Sequence, residues 1–161
     1  MAHDALASPP VQRLLGPRLL HLLLALAAFV LLAACGGSDS GSASAEDKAI
    51  LDVVRENLRA LKDEDLPAAM RTIDPDSDAY DSTEAFSQDI FDAYDLSYEL
   101  KELKLVSKSD DEARVHFVQV TRKKKGPDFR DNEVEGEHVL RKVGGHWLIF
   151  ETLVENIRYL N

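Results

Sequence analysis

Residues 134–150 read Val-Glu-Gly-Glu-His-Val-Leu-Arg-Lys-Val-Gly-Gly-His-Trp-Leu-Ile-Phe. Two runs rich in β-branched and aromatic residues flank Gly144-Gly145. A Gly-Gly pair in that setting is a two-residue hairpin turn, because both central residues need positive φ. With that turn, Val143 pairs with His146, Lys142 with Trp147 and Leu140 with Ile149. Counting on by twos sets His138 opposite Glu151 and Gly136 opposite Leu153. One face then collects Val134, Gly136, Leu140, Trp147, Ile149, Leu153, Ile157 and Tyr159. The other collects Glu133, Glu135, Glu137, Arg141, Thr152, Asn156 and Arg158, with Leu148, Phe150 and Val154. The first set is the more apolar and is assigned to the buried side.

The period of two extends upstream. Tyr98 and Leu100 alternate, as do Leu103 and Leu105, and the parity slip at Lys101-Glu102 marks a bulge. Val115 and Phe117 face one way in a strand over 113–122, and His116, Val118 and Val120 the other. Residues 125–131 form a loop. Before residue 95 the period is helical. Ser44 with Asp47 forms a capping box, followed by the stripe Ile50, Val54, Leu58 and Leu61. Asp65 caps a short second helix with Pro67 in its first turn. Asp81 with Glu84 makes another capping box, and Phe86, Ile90 and Tyr94 form the stripe of a third helix, with aromatics at core spacing. Three helices followed by four antiparallel strands make the class α+β.

The first 34 residues have a different character. Arg13 and Arg18 precede an apolar run from Leu19 to Ala34, broken only by His21. Sixteen residues at ~1.5 Å each span ~24 Å, short of the ~30 Å hydrocarbon core. A basic start, an apolar stretch and small residues at its end are the parts of a secretory signal. Leu32-Ala33-Ala34-Cys35 resembles the bacterial lipobox, which implies lipidation of Cys35 and cleavage before it. Cys35 is the only Cys, so no intramolecular disulfide forms. The expected organisation is a lipoprotein signal peptide over 1–34, a lipidated Cys and Gly/Ser tether over 35–45, and a domain over 46–161. The domain is expected at the cell membrane or outer membrane, facing periplasm or exterior.

The chain has 161 residues, 19 basic and 29 acidic, for a net charge of −10. Such an excess excludes general nucleic-acid binding, which needs clustered positive charge. Arg122-Lys123-Lys124-Lys125, with Arg130, is the one basic cluster of the domain. The plain reading is a soluble hairpin tip with a lysine-protected strand edge, and the functional alternative is contact with an anionic surface through Arg122, Lys123, Lys124 and Lys125. Asp74, Asp76 and Asp78 stand at positions 1, 3 and 5 of an EF-hand-like loop. Ala79 and Ala85 replace its Gly and bidentate Glu, so a solvated loop is expected there rather than calcium.

The order of elements, ending in Gly144-Gly145-His146-Trp147-Leu148-Ile149, resembles the nuclear transport factor 2-like superfamily (SnoaL-like, cystatin-like). The resemblance implies helices packed into a curved four-stranded sheet, a cone whose members include enzymes and non-enzymatic modules alike. The pocket residues expected here are Leu140, Trp147, Ile149 and Leu153. The leading functional expectation is a non-catalytic envelope lipoprotein binding a small apolar ligand or a protein partner. A second is an isomerase-like enzyme using His138 and Glu151. A third is a homodimerisation module with Leu148, Phe150 and Val154 in the interface. No cofactor and no metal site is expected. A zinc set of His116, His138 and Glu151 requires the hairpin around the 125–131 loop to pair even with even numbers, a register that a loop of that length leaves open.

Overall fold

The computed structural model describes residues 44–161. The expected signal peptide over 1–34, Cys35 and all but the last two residues of the expected tether lie outside the described residues. Three helices, α1 (Ala45–Lys62), α2 (Leu66–Met70) and α3 (Tyr80–Ala93), precede four strands. These are β1 (Asp95–Lys108), β2 (Glu112–Lys125), β3 (Asn132–Val143) and β4 (His146–Tyr159), an antiparallel meander in the order β1-β2-β3-β4. The α+β architecture is as expected.

The caps show how local sequence sets the helices. Ser44 Oγ accepts from the Asp47 N–H at 3.0 Å, and Asp47 Oδ2 accepts from the Ser44 N–H at 3.1 Å, closing the capping box. Asp65 Oδ1 accepts from the Ala68 N–H at 2.9 Å. The third helix departs from expectation. It begins at Tyr80, with Ala79 as an N-cap that makes no side-chain bond, so Asp81 and Glu84 form no capping box. The Asp74–Ser77 turn runs directly into the helix: Ser77 O accepts from the Tyr80 N–H at 3.0 Å, which leaves no room for a later start. Asp74 is buried, and its carboxylate accepts from the Asp76 N–H at 2.9 Å, a turn-forming role.

The core sits at one end of the sheet. Ile50 and Val54 of α1 pack on Ala113, Val115, Leu140, Trp147 and Ile149. Each large aliphatic side chain fully buried there contributes ~1.5–3 kcal/mol of transfer free energy. Ion pairs Lys108–Asp47 and Lys142–Glu46, both 2.6 Å, pin the first turn of α1 to that same end. The edge of β4 is partly covered by the chain leaving α2. Ile73 makes a parallel bridge with Ile149, through Asp74 N–H to Ile149 O and Ile149 N–H to Thr72 O, each 2.8 Å.

The β1–β2 ladder has a bulge at Lys101, where the alternation slips. The β3–β4 ladder has two bulges that simple counting misses. Pairing follows the turn as far as Leu140↔Ile149 and then moves to Val139↔Glu151, leaving Phe150 unpaired. It moves again between Gly136↔Val154 and Glu135↔Asn156, leaving Glu155 unpaired. The first bulge inverts the parity of residues 151–154 and the second restores it. His138 therefore faces Thr152, not Glu151, and Gly136 faces Val154, not Leu153.

Candidate functional site

The end of the sheet away from the core is hollow. A cavity of about 520 Å³ lies between the concave face and α3. Its floor is Phe117, Gln119 and Thr121 of β2, Asn132, Val134 and His138 of β3, and Thr152 and Val154 of β4. Leu96, Tyr98 and Leu100 of β1 close one side. Leu58 and Leu61 of α1 and Met70 of α2 close another. The roof is α3, whose Phe86, Ser87, Ile90 and Phe91 turn toward the space. The spacing of the Phe86, Ile90 and Tyr94 stripe predicts core packing. Instead α3 stands off the sheet, and Phe86 is 67% exposed at the cavity rim. Tyr94 is the C-cap rather than part of the stripe, and its ring packs on Phe129 with centroids 5.6 Å apart.

His138 is the most chemically distinctive group in this space. Its ring stacks on Phe117 at 4.3 Å between centroids, and its Nδ1 shares a 2.9 Å hydrogen bond with Thr152 Oγ1. Desolvation lowers its pKa to about 4, so the imidazole is neutral at pH 7. No carboxylate, lysine or arginine lines the cavity among the described residues. Several polar groups already have partners: the Asn57 amide donates to Thr72 Oγ1 at 2.8 Å, and the Gln119 amide to Thr121 Oγ1 at 3.3 Å. The Tyr98 hydroxyl has its pKa raised, chiefly by burial, and stays protonated. The arrangement offers a neutral apolar chamber with a few hydrogen-bonding groups, within the ~300–1,000 Å³ range usual for small-molecule sites.

The expected site residues divide. Ile149 and His138 line the cavity. Leu140 and Trp147 are buried in the packed core instead, because the sheet end near the Gly-Gly turn is filled by α1. Leu153 is turned to the outer face by the Phe150 bulge and is 38% exposed. The same bulge takes Glu151 out of reach of His138 and brings Thr152 and Val154 inside. With Val154 lining the cavity, the apolar outer-face trio with Leu148 and Phe150 does not form, and Phe150 lies under the Arg141 guanidinium at 3.4 Å. His116 pairs with Glu137, and Val115 with His138, so His116 points away from the cavity and the set His116, His138 and Glu151 does not converge. The basic cluster belongs to the end of β2. Arg122 pairs with Glu99 at 3.4 Å, Lys124 with Asp95 at 3.2 Å, and Lys123 Nζ donates to Pro127 O at 2.7 Å. Thr152, Val154 and Gln119 line the cavity without a signal in the sequence, because the bulge that turns Thr152 and Val154 inward skips Phe150 and no glycine or proline marks it.

Comparison with known proteins places these features. The solved structures similar to this one include a cystatin-like protein of unknown function from Nostoc punctiforme, with a TM-score of 0.58 at 15% identity, covering 70% of this chain and 92% of that one. An NTF2-like protein of unknown function from Pseudomonas putida has a TM-score of 0.59 at 16% identity, covering 71% and 89%. A ketosteroid isomerase-like protein from Erwinia carotovora atroseptica has a TM-score of 0.52 at 22% identity, covering 67% and 93%. At those identities the likeness shows the fold alone, and the fold is NTF2-like. The anti-sigma-I factor RsgI9 of Acetivibrio thermocellus is 35% identical over 97 residues, 60% of this chain. The match spans only 14% of that relative's length. The family model described as the anti-sigma-I factor RsgI9, C-terminal domain, matches residues 52–160, nearly the whole described domain. This chain belongs to the family of RsgI9 C-terminal domains.

Proposed function

We propose that this chain is a non-catalytic binding module, held on the cell envelope through a lipid at Cys35, whose cavity takes a small, neutral, largely apolar ligand. The observation that carries the reading is the chamber itself: about 520 Å³, with no charged side chain among the described residues that line it. A ligand bearing a charge would lose its hydration there without gaining a counter-charge. A flat apolar body with one or two hydrogen-bonding groups loses little and gains contact with Phe117, Val134, Ile149 and the α3 aromatics.

By its name the relative acts against a sigma factor, and the family model that matches this chain describes the C-terminal domain of such a factor. Part of the proposal is therefore that the cavity serves as the input of a signalling system with a protein partner. The sigma-directed activity belongs to a protein far longer than the match.

Binding is tested with residues 44–161 and a panel of neutral apolar fluorophores. Micromolar binding is expected, weakened at least tenfold by Ser87→Trp, which projects an indole from α3 into the chamber, at an unchanged melting temperature. Absence of binding across the panel, or a turnover that disappears in His138→Ala, would replace this reading with another. The anchor is tested separately. Cys35→Ala should move the chain from the membrane fraction to the soluble fraction and abolish lipid labelling. Unchanged retention would place the anchor elsewhere.

A further inference from the structure

The outer face of the sheet carries a second cluster, unrelated to the cavity. Glu133, Glu135 and Glu137 of β3 all point there. Glu133 is paired with Arg158 at 2.7 Å and Glu137 with Arg114 at 3.4 Å. On β1, Glu99 is paired with Lys101 at 2.6 Å and Arg122 at 3.4 Å. Glu135 breaks this pattern of matched charge. Among the described residues its one neighbour of possible positive charge within 4.0 Å is His116 of β2, with Nε2 to Oε1 at 3.9 Å. Beside them comes Glu155, the unpaired residue of the second β4 bulge. It has no cationic partner within 4.0 Å among the described residues.

The bulge matters to this geometry. In a regular ladder Glu155 and Asn156 would occupy opposite faces and only one would meet β3 on this side. The extra residue delivers the Glu155 carboxylate to the face that already carries Glu135. One donor atom from each of His116, Glu135 and Glu155 lies within 4.8 Å of the others. Three strands thus supply one imidazole nitrogen and two carboxylates to a single point, with two negative charges lacking a fixed counter-charge.

We propose that His116, Glu135 and Glu155 form a binding site for a divalent transition-metal ion, with zinc the best fit among common ions. One nitrogen and two carboxylate oxygens from protein, with a fourth position left to solvent, is a donor set zinc accepts. Ligand atoms around tetrahedral zinc lie about 3.3 Å apart, so the set closes by small rotamer shifts from its present spacing. His116 and Glu135 are half-buried and Glu155 is exposed, which leaves the open position on the solvent side. An ion here would neutralise the unmatched pair of carboxylates and tie β2, β3 and β4 together at the bulge.

The test uses the detergent-solubilised full chain, stripped with chelator and titrated with Zn²⁺ against a fluorescent competitor at pH 7.5. One equivalent per chain is expected. Glu155→Gln and His116→Gln should each weaken binding at least tenfold, and His138→Gln, on the opposite face, should leave it unchanged. Affinity should fall markedly by pH 5.5, as protons compete for the ligands. Saturating Zn²⁺ should raise the melting temperature of the wild-type chain by a few degrees and that of neither site variant. Metal-free melts of the variants equal to the metal-free wild type exclude a folding defect. If one variant melts early, Glu135→Gln takes its place. Stoichiometry below about one fifth, or an affinity that survives both site variants, would overturn the proposal.

Discussion

Gly136→Ala is expected to cost at least ~3 kcal/mol of folding stability, a large effect for the addition of one methyl group. A Cβ built on Gly136 would lie 2.2 Å from Leu153 O, 3.2 Å from Leu153 C and 3.3 Å from Val154 Cα. All three are backbone atoms of the neighbouring strand, so no flexible side chain can swing aside. The strand itself must retreat, and it carries the ladder that positions Thr152 and Val154 over the cavity. Urea denaturation measures the loss as a lower midpoint at unchanged slope. A loss under ~1 kcal/mol would mean that β4 shifts freely at this point and that its bulges do not fix the cavity wall.

The same residue shows how far sequence reasoning reaches. The Gly144-Gly145 turn sets the register of the last hairpin correctly for its first four pairs, Val143↔His146 to Leu140↔Ile149, because turn chemistry and strand twist constrain each other. The slip at Lys101 is legible because Leu100 and Leu103 stand on clean alternating runs. Residues 151–159, Glu-Thr-Leu-Val-Glu-Asn-Ile-Arg-Tyr, carry apolar residues at both parities, so a slip there leaves no trace in the pattern. What remains is Gly136, small because a backbone approaches it. It marks the second bulge, at Glu155; the first, at Phe150, which moves Glu151 and Leu153 out of the cavity and Thr152 and Val154 in, lies between Val139 and Leu140 and has no glycine to mark it.

The helices divide in the same way. The stripe of α1 meets the core as expected, with Ile50 and Val54 buried. The stripe of α3 has the same spacing but faces a hollow. Periodicity tells which side of a helix is apolar; it does not tell whether a packed core or an open chamber lies beneath. The proposed ligand-binding role depends on that difference, since a filled interior would leave no room for a ligand.

His138 should make folding stability depend on pH by up to about 3 kcal/mol between pH 6.5 and pH 4. In the folded chain its pKa is lowered to about 4 by desolvation, whereas an unfolded histidine titrates near 6.5. Between those values the unfolded chain binds a proton that the folded chain does not, so stability falls as pH falls. The contribution is fully present above pH 6.5, is lost progressively down to about pH 4, and changes little below. Each tenfold difference in proton affinity is worth about 1.4 kcal/mol, which sets the ceiling. The surface carboxylates held by lysine, such as Asp47 and Glu46, also lose stability in acid. Their ordinary values lie at 3.8 and 4.5, so that loss falls lower on the pH axis. His138→Gln, which keeps a polar partner for Thr152, should flatten the 6.5–4 limb and leave the lower limb in place. Urea midpoints across pH for the two proteins measure the difference, and the ring-proton shift of His138 by NMR should stay constant down to about pH 5. A ring that titrates near 6.5 would show that water reaches the imidazole freely, and the chamber would then be wet and polar rather than a site for a neutral apolar ligand.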